Sequence, residues 1–511
     1  MRLESNKKKK AVFQNAILLM LGTILSKILG FGREWVIAYK YGAGAISDAF
    51  ILTNSIPTTI FVSLATAITI NYIPICTECK SEKDKNYFTS NIIGIATLIM
   101  LIGTVIIEIF AENIIFIFAP GLGFETKRYA VKMLRIVVFS IFPIIYTSIF
   151  QGYSQINGNF RMTSIYGVVI NLIIITMVLV STETRFYLLS IGYIFSYVVG
   201  MVICLAEAKK NKFSFHFTID FSDNKIKKII LLTLPLMVED VSASLSLVVD
   251  KVLGSYLESG TISALGYAAT LGNVASTMIA TAIITVTYPI FSKLVVENKG
   301  EEFTSELKKY GYVLGILLAP ITAFVICYSK EITIVIFEHG AFNSMSSTIV
   351  GEAMVCYAVG IIPCGIQSYY VRAFYSLKET MLPVIVKVGS LLLNIILNIA
   401  LVENFKHKGI ALSTSLSYLI SMILLAYLFD RKFHTNICTK INRCALNSTF
   451  IALLIAGILK ISIGRLVQNE LVEIAISGML FVFLSVIVFY FLGDRTLKKE
   501  IFFLIKRRKN D

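Results

Sequence analysis

The chain has 511 residues, 56% of them hydrophobic and 15% charged, with a formal net charge of +15. A chain this apolar is not a soluble enzyme, and positive charges clustered beside apolar runs point to anionic lipid headgroups rather than to nucleic acid. Several runs exceed the roughly 20 apolar residues that cross about 30 Å of hydrocarbon.

In chain order the apolar runs predict spans at 13–38, 45–75, 88–111, 130–156, 160–181, 186–207 and 226–255. The second half adds 262–292, 307–328, 348–376, 381–403, 408–429, 445–463 and 471–493. The predicted fold class is therefore an all-α polytopic membrane protein of about fourteen helices. An even number of crossings puts both termini on one side. Lys7 to Lys10 at one end, and Lys506, Arg507, Arg508 and Lys509 at the other, place that side in the cytoplasm. Lys80, Lys83 and Lys85, then Lys209 to Lys228, Lys299 to Lys309 and Arg431 to Arg443 all fall in loops on the same side. The loop Tyr41 to Ala45, on the other side, is nearly uncharged. The basic N-terminus before an apolar run resembles a secretion signal, but Lys27, Arg33 and the lack of a small-residue cleavage site favour a retained first span.

Sliding the chain against itself aligns Phe116 to Gly121 (FIFAPG) with Val335 to Gly340 (VIFEHG), each before a span interrupted by proline, at Pro143 and Pro363. Such a repeat is expected of transporter halves. It divides the chain into an N-lobe (1–207), a basic linker (208–225), a C-lobe (226–430) and an appended pair of spans with a basic tail (431–511). The two lobes are expected to be pseudo-symmetric, with six helices in each.

Cys76 and Cys79 form the single C-x-x-C, and His216, His339, His407 and His434 lie far apart, so neither a metal centre nor a catalytic thiol is expected. No G-x-x-x-x-G-K-[ST] loop is present, and no organic cofactor is expected; energy comes from gradients, partners or substrate.

Charges inside the spans carry most of the functional signal, because one at the bilayer centre costs about 3 kcal/mol or more unless it faces water or a partner. The first span holds Lys27, Arg33 and Glu34, and the second opens with Asp48 and carries Asn54. The seventh holds Glu239, Asp240, Asp250 and Lys251, and the tenth and eleventh hold Arg372 and Lys387. The plainer reading is that residues near span ends snorkel or pair with one another. The sharper one is a cavity lined by Lys27, Arg33, Glu34, Asp48, Asn54, Lys251 and Arg372, whose excess of cations suits an anionic substrate such as pyrophosphate. Asn394 and Asn398 share a helical face. With Asp250 and Thr414 they offer hard oxygens to a coupling cation, Na+ or a proton carrier, or equally hydrogen bonds between helices.

Ser26-Lys27-Ile28-Leu29-Gly30-Phe31-Gly32-Arg33-Glu34, Tyr41-Gly42-Ala43-Gly44 and Ser47-Asp48-Ala49-Phe50 resemble the opening of the MurJ/MviN lipid II flippases, within the multidrug/oligosaccharidyl-lipid/polysaccharide exporter superfamily. Pro57, Tyr72-Ile73-Pro74 and Ala373-Phe374-Tyr375-Ser376-Leu377-Lys378-Glu379-Thr380 with Pro383 continue the likeness. The resemblance implies a non-enzymatic transporter in the bacterial cytoplasmic membrane. Its cargo would be an undecaprenyl-pyrophosphate-linked peptidoglycan precursor, moved from inner to outer leaflet by alternating access through a cationic cavity. Membrane potential would assist, and cell-wall polymerases are the expected protein partners. Three departures bear on the cargo: Lys27 stands where arginine is usual, Phe61-Val62 where many members carry an arginine pair, and Thr270 where many carry arginine. Another polyprenyl-linked oligosaccharide, for a capsule or surface polymer, is therefore the alternative cargo. A cation-coupled multidrug antiporter fits less well, because cationic drugs prefer an acidic cavity. A membrane-embedded transferase would need acidic loop motifs, and only Asp220 and Asp223 stand near.

Overall fold

A computed structural model describes the backbone of residues 2–159, 161–467 and 469–492, and their side chains except at 2–20, 60, 234–243, 273–276 and 489–492. All regular structure in these residues is helical. The first half comprises α1 (Arg2–Tyr41), α2 (Ala45–Pro57), α3 (Ser63–Thr77), α4 (Glu82–Ile109), α5 (Ala111–Phe118), α6 (Phe124–Val137), α7 (Ile141–Ile156), α8 (Arg161–Val180), α9 (Tyr187–Lys210) and α10 (Asn224–Gly254). The second comprises α11 (Thr261–Val296), α12 (Gly300–Phe337), α13 (Ser344–Val359), α14 (Ile361–Ser376), α15 (Met381–Lys432), α16 (Ile437–Gly464) and α17 (Glu470–Leu492).

Among the described residues nine helical segments are long and apolar enough to cross a membrane, or ten if the bent pair α13 and α14 forms one span. The 52-residue α15 contains both the eleventh and twelfth predicted spans, and it breaks between them at Lys406, whose φ of 48° and ψ of −130° interrupt the helix. The basic tail and the side chains of Glu239 and Asp240 lie outside the described residues.

Contacts gather the chain into two compact units, Met1–Ser263 and Ala264–Asp511. Each has its own apolar core. In the first, α8 packs on α1 and α9, α7 on α3 and α9, and α2 on α6. The α1–α8 contact is built on small residues, because lipid tails give no hydrophobic reason for two apolar helices to separate from lipid and close backbone approach must supply the attraction. A Cβ on Gly22 would stand 2.3 Å from the Ser164 carbonyl oxygen, and one on Gly167 would stand 2.1 Å from Ser26 Oγ. Asn171 Nδ2 adds a bond to the Ser26 carbonyl at 3.1 Å. Gly22→Leu is therefore expected to push α1 off α8 and destabilise the unit by about 1–3 kcal/mol, read as a lowered melting temperature of the purified protein in detergent. An unchanged melting temperature would show that this contact does not hold the helices.

Helix α10 contacts α3, α4 and α5. Lys225 Nζ meets Asp84 at 2.8 Å and Lys228 Nζ meets Glu78 at 2.9 Å, tying its N-terminal end to the residues between α3 and α4 and to the first turn of α4. In the second unit the appended α16 runs along α12. Cβ atoms on Gly311 and Gly315 would stand 2.5 Å from Ile441 Cδ1 and 2.9 Å from Ala445 Cβ. Asp430 fixes the start of α16, since Oδ1 accepts from the Cys438 N–H at 3.0 Å and Oδ2 from the Thr439 N–H at 2.8 Å.

Two local features could not be read from the apolar pattern. The second predicted span is α2 and α3 joined by a π-helical turn, Thr58–Val62. Pro57 removes one backbone donor there, and hydroxyls satisfy the loosened carbonyls: Thr58 Oγ1 donates to Asn54 O at 2.8 Å and Ser63 Oγ to Thr59 O at 2.9 Å. The linker, whose non-helical part runs from 211 to 223, is not a free tether but is bonded side chain by side chain to α4.

Candidate functional site

The first unit brings together three of the charges singled out in its spans. On α1, Arg33 Nη2 donates to Glu34 Oε1 at 2.7 Å, with the two side chains 28% and 17% exposed. Lys251 of α10 is partly buried and lies within electrostatic reach of Glu34 and of its own neighbour Asp250. Tyr193 and Tyr197 of α9 lie close enough to Arg33 to interact with it electrostatically. Lys27 is partly buried, and it stands seven residues, or two helical turns, before Glu34 on one face of α1. Arg33 is thus paired directly with Glu34, and Lys251 and Lys27 are further partly buried cations of the same unit, in spans where charge persists only if it is paired or wetted. Such cations can hold phosphate oxygens through guanidinium and ammonium donors.

Asp48 takes a different place. It is 2% exposed, and both carboxylate oxygens are occupied: Oδ2 accepts from the Gly260 N–H at 2.6 Å and Oδ1 from the Ser263 N–H at 2.7 Å. These are donors that the first turn of α11 leaves unmet, and a carboxylate there also complements the helix dipole. Gly260 itself has φ +94°, and a Cβ on it would stand 2.3 Å from the Ala43 carbonyl oxygen, so only glycine fits the turn. The geometry makes Asp48 a clip for the 260–263 segment, with one backbone donor on each carboxylate oxygen.

Asn54 lies one residue before Ser55 at the approach to the π-helical turn, and its Oδ1 is buried with no hydrogen-bond partner among the described residues. Arg372 is in the other unit, exposed near the end of α14, with its guanidinium over the Tyr375 ring at 5.8 Å. Lys251 is thus brought to the Arg33–Glu34 pair, whereas Arg372 stacks on its own helix. In the second unit Asn398 Nδ2 donates to Asn394 Oδ1 at 3.2 Å, and Asn394 Nδ2 to Thr414 Oγ1 at 3.2 Å. Asp250 is buried in the first unit. No cluster of three His, Cys, Asp or Glu able to hold a metal ion occurs among the described residues.

Two of the positions where the resemblance would place arginine have local contacts of their own. Phe61 is 6% exposed and turns onto α4, its ring 3.1 Å from where a Cβ on Gly103 would stand. Thr270 Oγ1 donates to Gly266 O of its own helix at 2.9 Å.

Comparison with known proteins follows the same lines. The sequence pattern of the family described as lipid II flippase MurJ matches residues 37–490. A protein of Buchnera aphidicola subsp. Schizaphis graminum, named probable lipid II flippase MurJ, is 27% identical over 432 residues, covering 82% of this chain and 84% of its own. A solved structure of lipid II flippase MurJ in an inward closed conformation superposes with a TM-score of 0.80 at 25% identity, covering 94% of this chain and all (100%) of the other. An inward-facing multidrug transporter of the MATE family shares the fold, with a TM-score of 0.69 at 12% identity over 85% of this chain and 99% of its own.

Proposed function

Because this chain belongs to the lipid II flippase MurJ family, we propose that it moves lipid II from the inner to the outer leaflet of the bacterial cytoplasmic membrane by alternating access, with Arg33 and Lys251 receiving the pyrophosphate. The observation that carries this reading is the partly buried Arg33–Glu34 pair with Lys251 within electrostatic reach of Glu34. A polyprenyl tail can stay in lipid throughout, so the protein's task is to shelter a polar, anionic head. No bond is made or broken.

Glu34 has a role in this scheme that a purely cationic site would lack. Two bare cations at this depth would cost several kcal/mol in the empty carrier, whereas a carboxylate between them offsets that cost until a phosphate displaces it. The cations can then return without cargo. With an inside-negative potential, outward passage of about two phosphate charges is favoured by roughly 4–5 kcal/mol per 100 mV if they cross the full field.

Depletion of the protein is expected to make lipid II accumulate in the inner leaflet while its polymerised product falls. Normal cell-wall synthesis with loss of a capsule or other surface polymer would instead assign another polyprenyl-linked cargo. Both termini are assigned to the cytoplasm on the Lys/Arg bias of the loops, and two six-helix halves with an appended pair remain our description of the repeat.

Asn394, Asn398 and Thr414 form our candidate for cation coupling, on the strength of a hydrogen-bonded chain of three oxygen-bearing side chains in α15. Sodium in place of choline is expected to raise the melting temperature of the purified protein, and Asn398→Ala is expected to abolish the difference. An equal response in the variant would leave these groups as interhelical hydrogen bonds only.

A further inference from the structure

The segment between α9 and α10 has two faces. One is polar and bonded to α4. Asn86 Nδ2 donates to the Lys212 carbonyl at 3.1 Å and to Ser214 Oγ at 3.0 Å. The His216 N–H donates to Ser90 Oγ at 3.1 Å. Asn91 holds Asp220 reciprocally, through Nδ2 to its carbonyl at 2.8 Å and Oδ1 from its N–H at 2.7 Å. Tyr87 donates to the Asp220 carboxylate at 3.2 Å. Between these anchors the chain climbs along α4 to Gly94, where an added Cβ would stand 2.1 Å from the Thr218 carbonyl oxygen, and then returns to the level of Asn91.

The other face is apolar and uncovered. Phe215, Phe217, Ile219 and Phe221 alternate with the bonded residues and are 52%, 76%, 41% and 50% exposed. An alternating row of this size is what a half-buried extended segment presents to an apolar phase. Its depth identifies the phase. From Asn86 to Gly94 is eight residues of helix, about 12 Å along the axis, and the α4 sequence from Ile92 onward is apolar. Phe217 and Ile219 flank Thr218, the residue at the deepest point, so the most exposed ring stands level with the start of the hydrocarbon. Charge complements this placement: Lys209, Lys210, Lys212 and Lys227 flank the row and are exposed, as expected for a segment facing an anionic leaflet.

We propose that residues 213–221 form an interfacial anchor, bolted to α4 on one side and dipping the row Phe215, Phe217, Ile219 and Phe221 into the headgroup–acyl boundary of the cytoplasmic leaflet, with the neighbouring lysines on anionic lipid. The occupant of this face is the lipid surface. The backbone can enter that boundary because Asn86, Ser90 and Asn91 supply the hydrogen bonds that water would otherwise provide.

The test uses the full-length protein, whose single tryptophan, Trp35, is removed so that a reporter can be set at the dip. Trp35→Phe combined with Phe217→Trp is reconstituted in vesicles of phosphatidylcholine and phosphatidylglycerol, some brominated at shallow acyl carbons. The anchor predicts blue-shifted emission that loses most of its intensity to brominated lipid and little to aqueous iodide. Quenching by iodide with no effect of brominated lipid overturns the proposal and returns the row to water or a protein partner. A partner or second copy would shield the ring from both quenchers, which overturns it equally. Trp35→Phe combined with Phe139→Trp, at another exposed apolar position, verifies that reconstitution succeeded. Replacing Lys209, Lys210 and Lys212 by Gln is expected to reduce quenching in phosphatidylglycerol vesicles, and an unchanged value overturns the electrostatic part. None of these readouts depends on export, so their failure would leave the flippase reading standing.

Discussion

Arg33→Ala is expected to lower lipid II export about 10- to 100-fold, the range set by losing one charge-assisted hydrogen bond of about 1.5–3 kcal/mol. Complementation of a depleted strain, with exposure of lipid II at the outer surface read by an added lipid II-hydrolysing enzyme and protein levels checked in parallel, measures it. The single variant does not distinguish two explanations, because Arg33 also neutralises Glu34 at 2.7 Å. The double variant Arg33→Ala with Glu34→Ala separates them. If Arg33 grips phosphate, removing its internal partner cannot restore export. If it merely cancels a buried carboxylate, the double variant recovers activity. Arg33→Lys is expected to fall between wild type and alanine, since an ammonium keeps the charge but loses the planar fork.

Asp48→Ala is expected to act on stability rather than on cargo. It orphans two buried N–H groups, of Gly260 and Ser263, at about 1–3 kcal/mol each. The melting temperature in detergent should drop clearly, and the protein level in cells should fall with it. Asp48→Asn keeps one acceptor and should lose less. A variant that melts like the wild type yet fails to export would show instead that the carboxylate serves transport directly. Gly260→Ala should reproduce the loss through a different cause, the collision of its Cβ with the Ala43 carbonyl and a φ that L-residues rarely adopt.

The membrane architecture was legible because hydrocarbon thickness imposes a length and an apolarity that loops do not share. Each predicted span falls on a helix or on a pair of joined helices. Even the division of α15 was visible, since Glu403, Lys406, His407 and Lys408 interrupt the apolar run at the break. What escaped was set by contacts distant in sequence. Asp48 and Gly260 are separated by 212 positions, so the bonds that tie this carboxylate to the Gly260 and Ser263 N–H groups could not be read from spacing along the chain. The π-helical turn follows from Pro57 and a set of hydroxyls whose bonding no periodicity reveals. Arg33 and Glu34 were legible as charges at a costly depth, whereas the electrostatic reach of Lys251 to Glu34 required the packing of α10 within the first unit. The bonded linker hid for a related reason. Its alternation of phenylalanine with polar residues sits in a basic stretch, and the signal of its binding lies on α4, in Asn86, Ser90 and Asn91, where polar residues look like the ordinary fringe of a span.

The bonds between α4 and that segment also impose an order on biogenesis. Asn86 and its acceptor Lys212 are 126 residues apart, which at about 5–20 residues per second of synthesis is a delay of roughly 6–25 s. During that interval the newborn helix carries three uncapped polar side chains on one flank. They lie close enough to the membrane surface for water and headgroups to serve as temporary partners, so insertion can precede the arrival of the permanent ones. Moved two turns deeper, the same residues would have to wait in oil, and the helix would be a poor substrate for the insertion machinery.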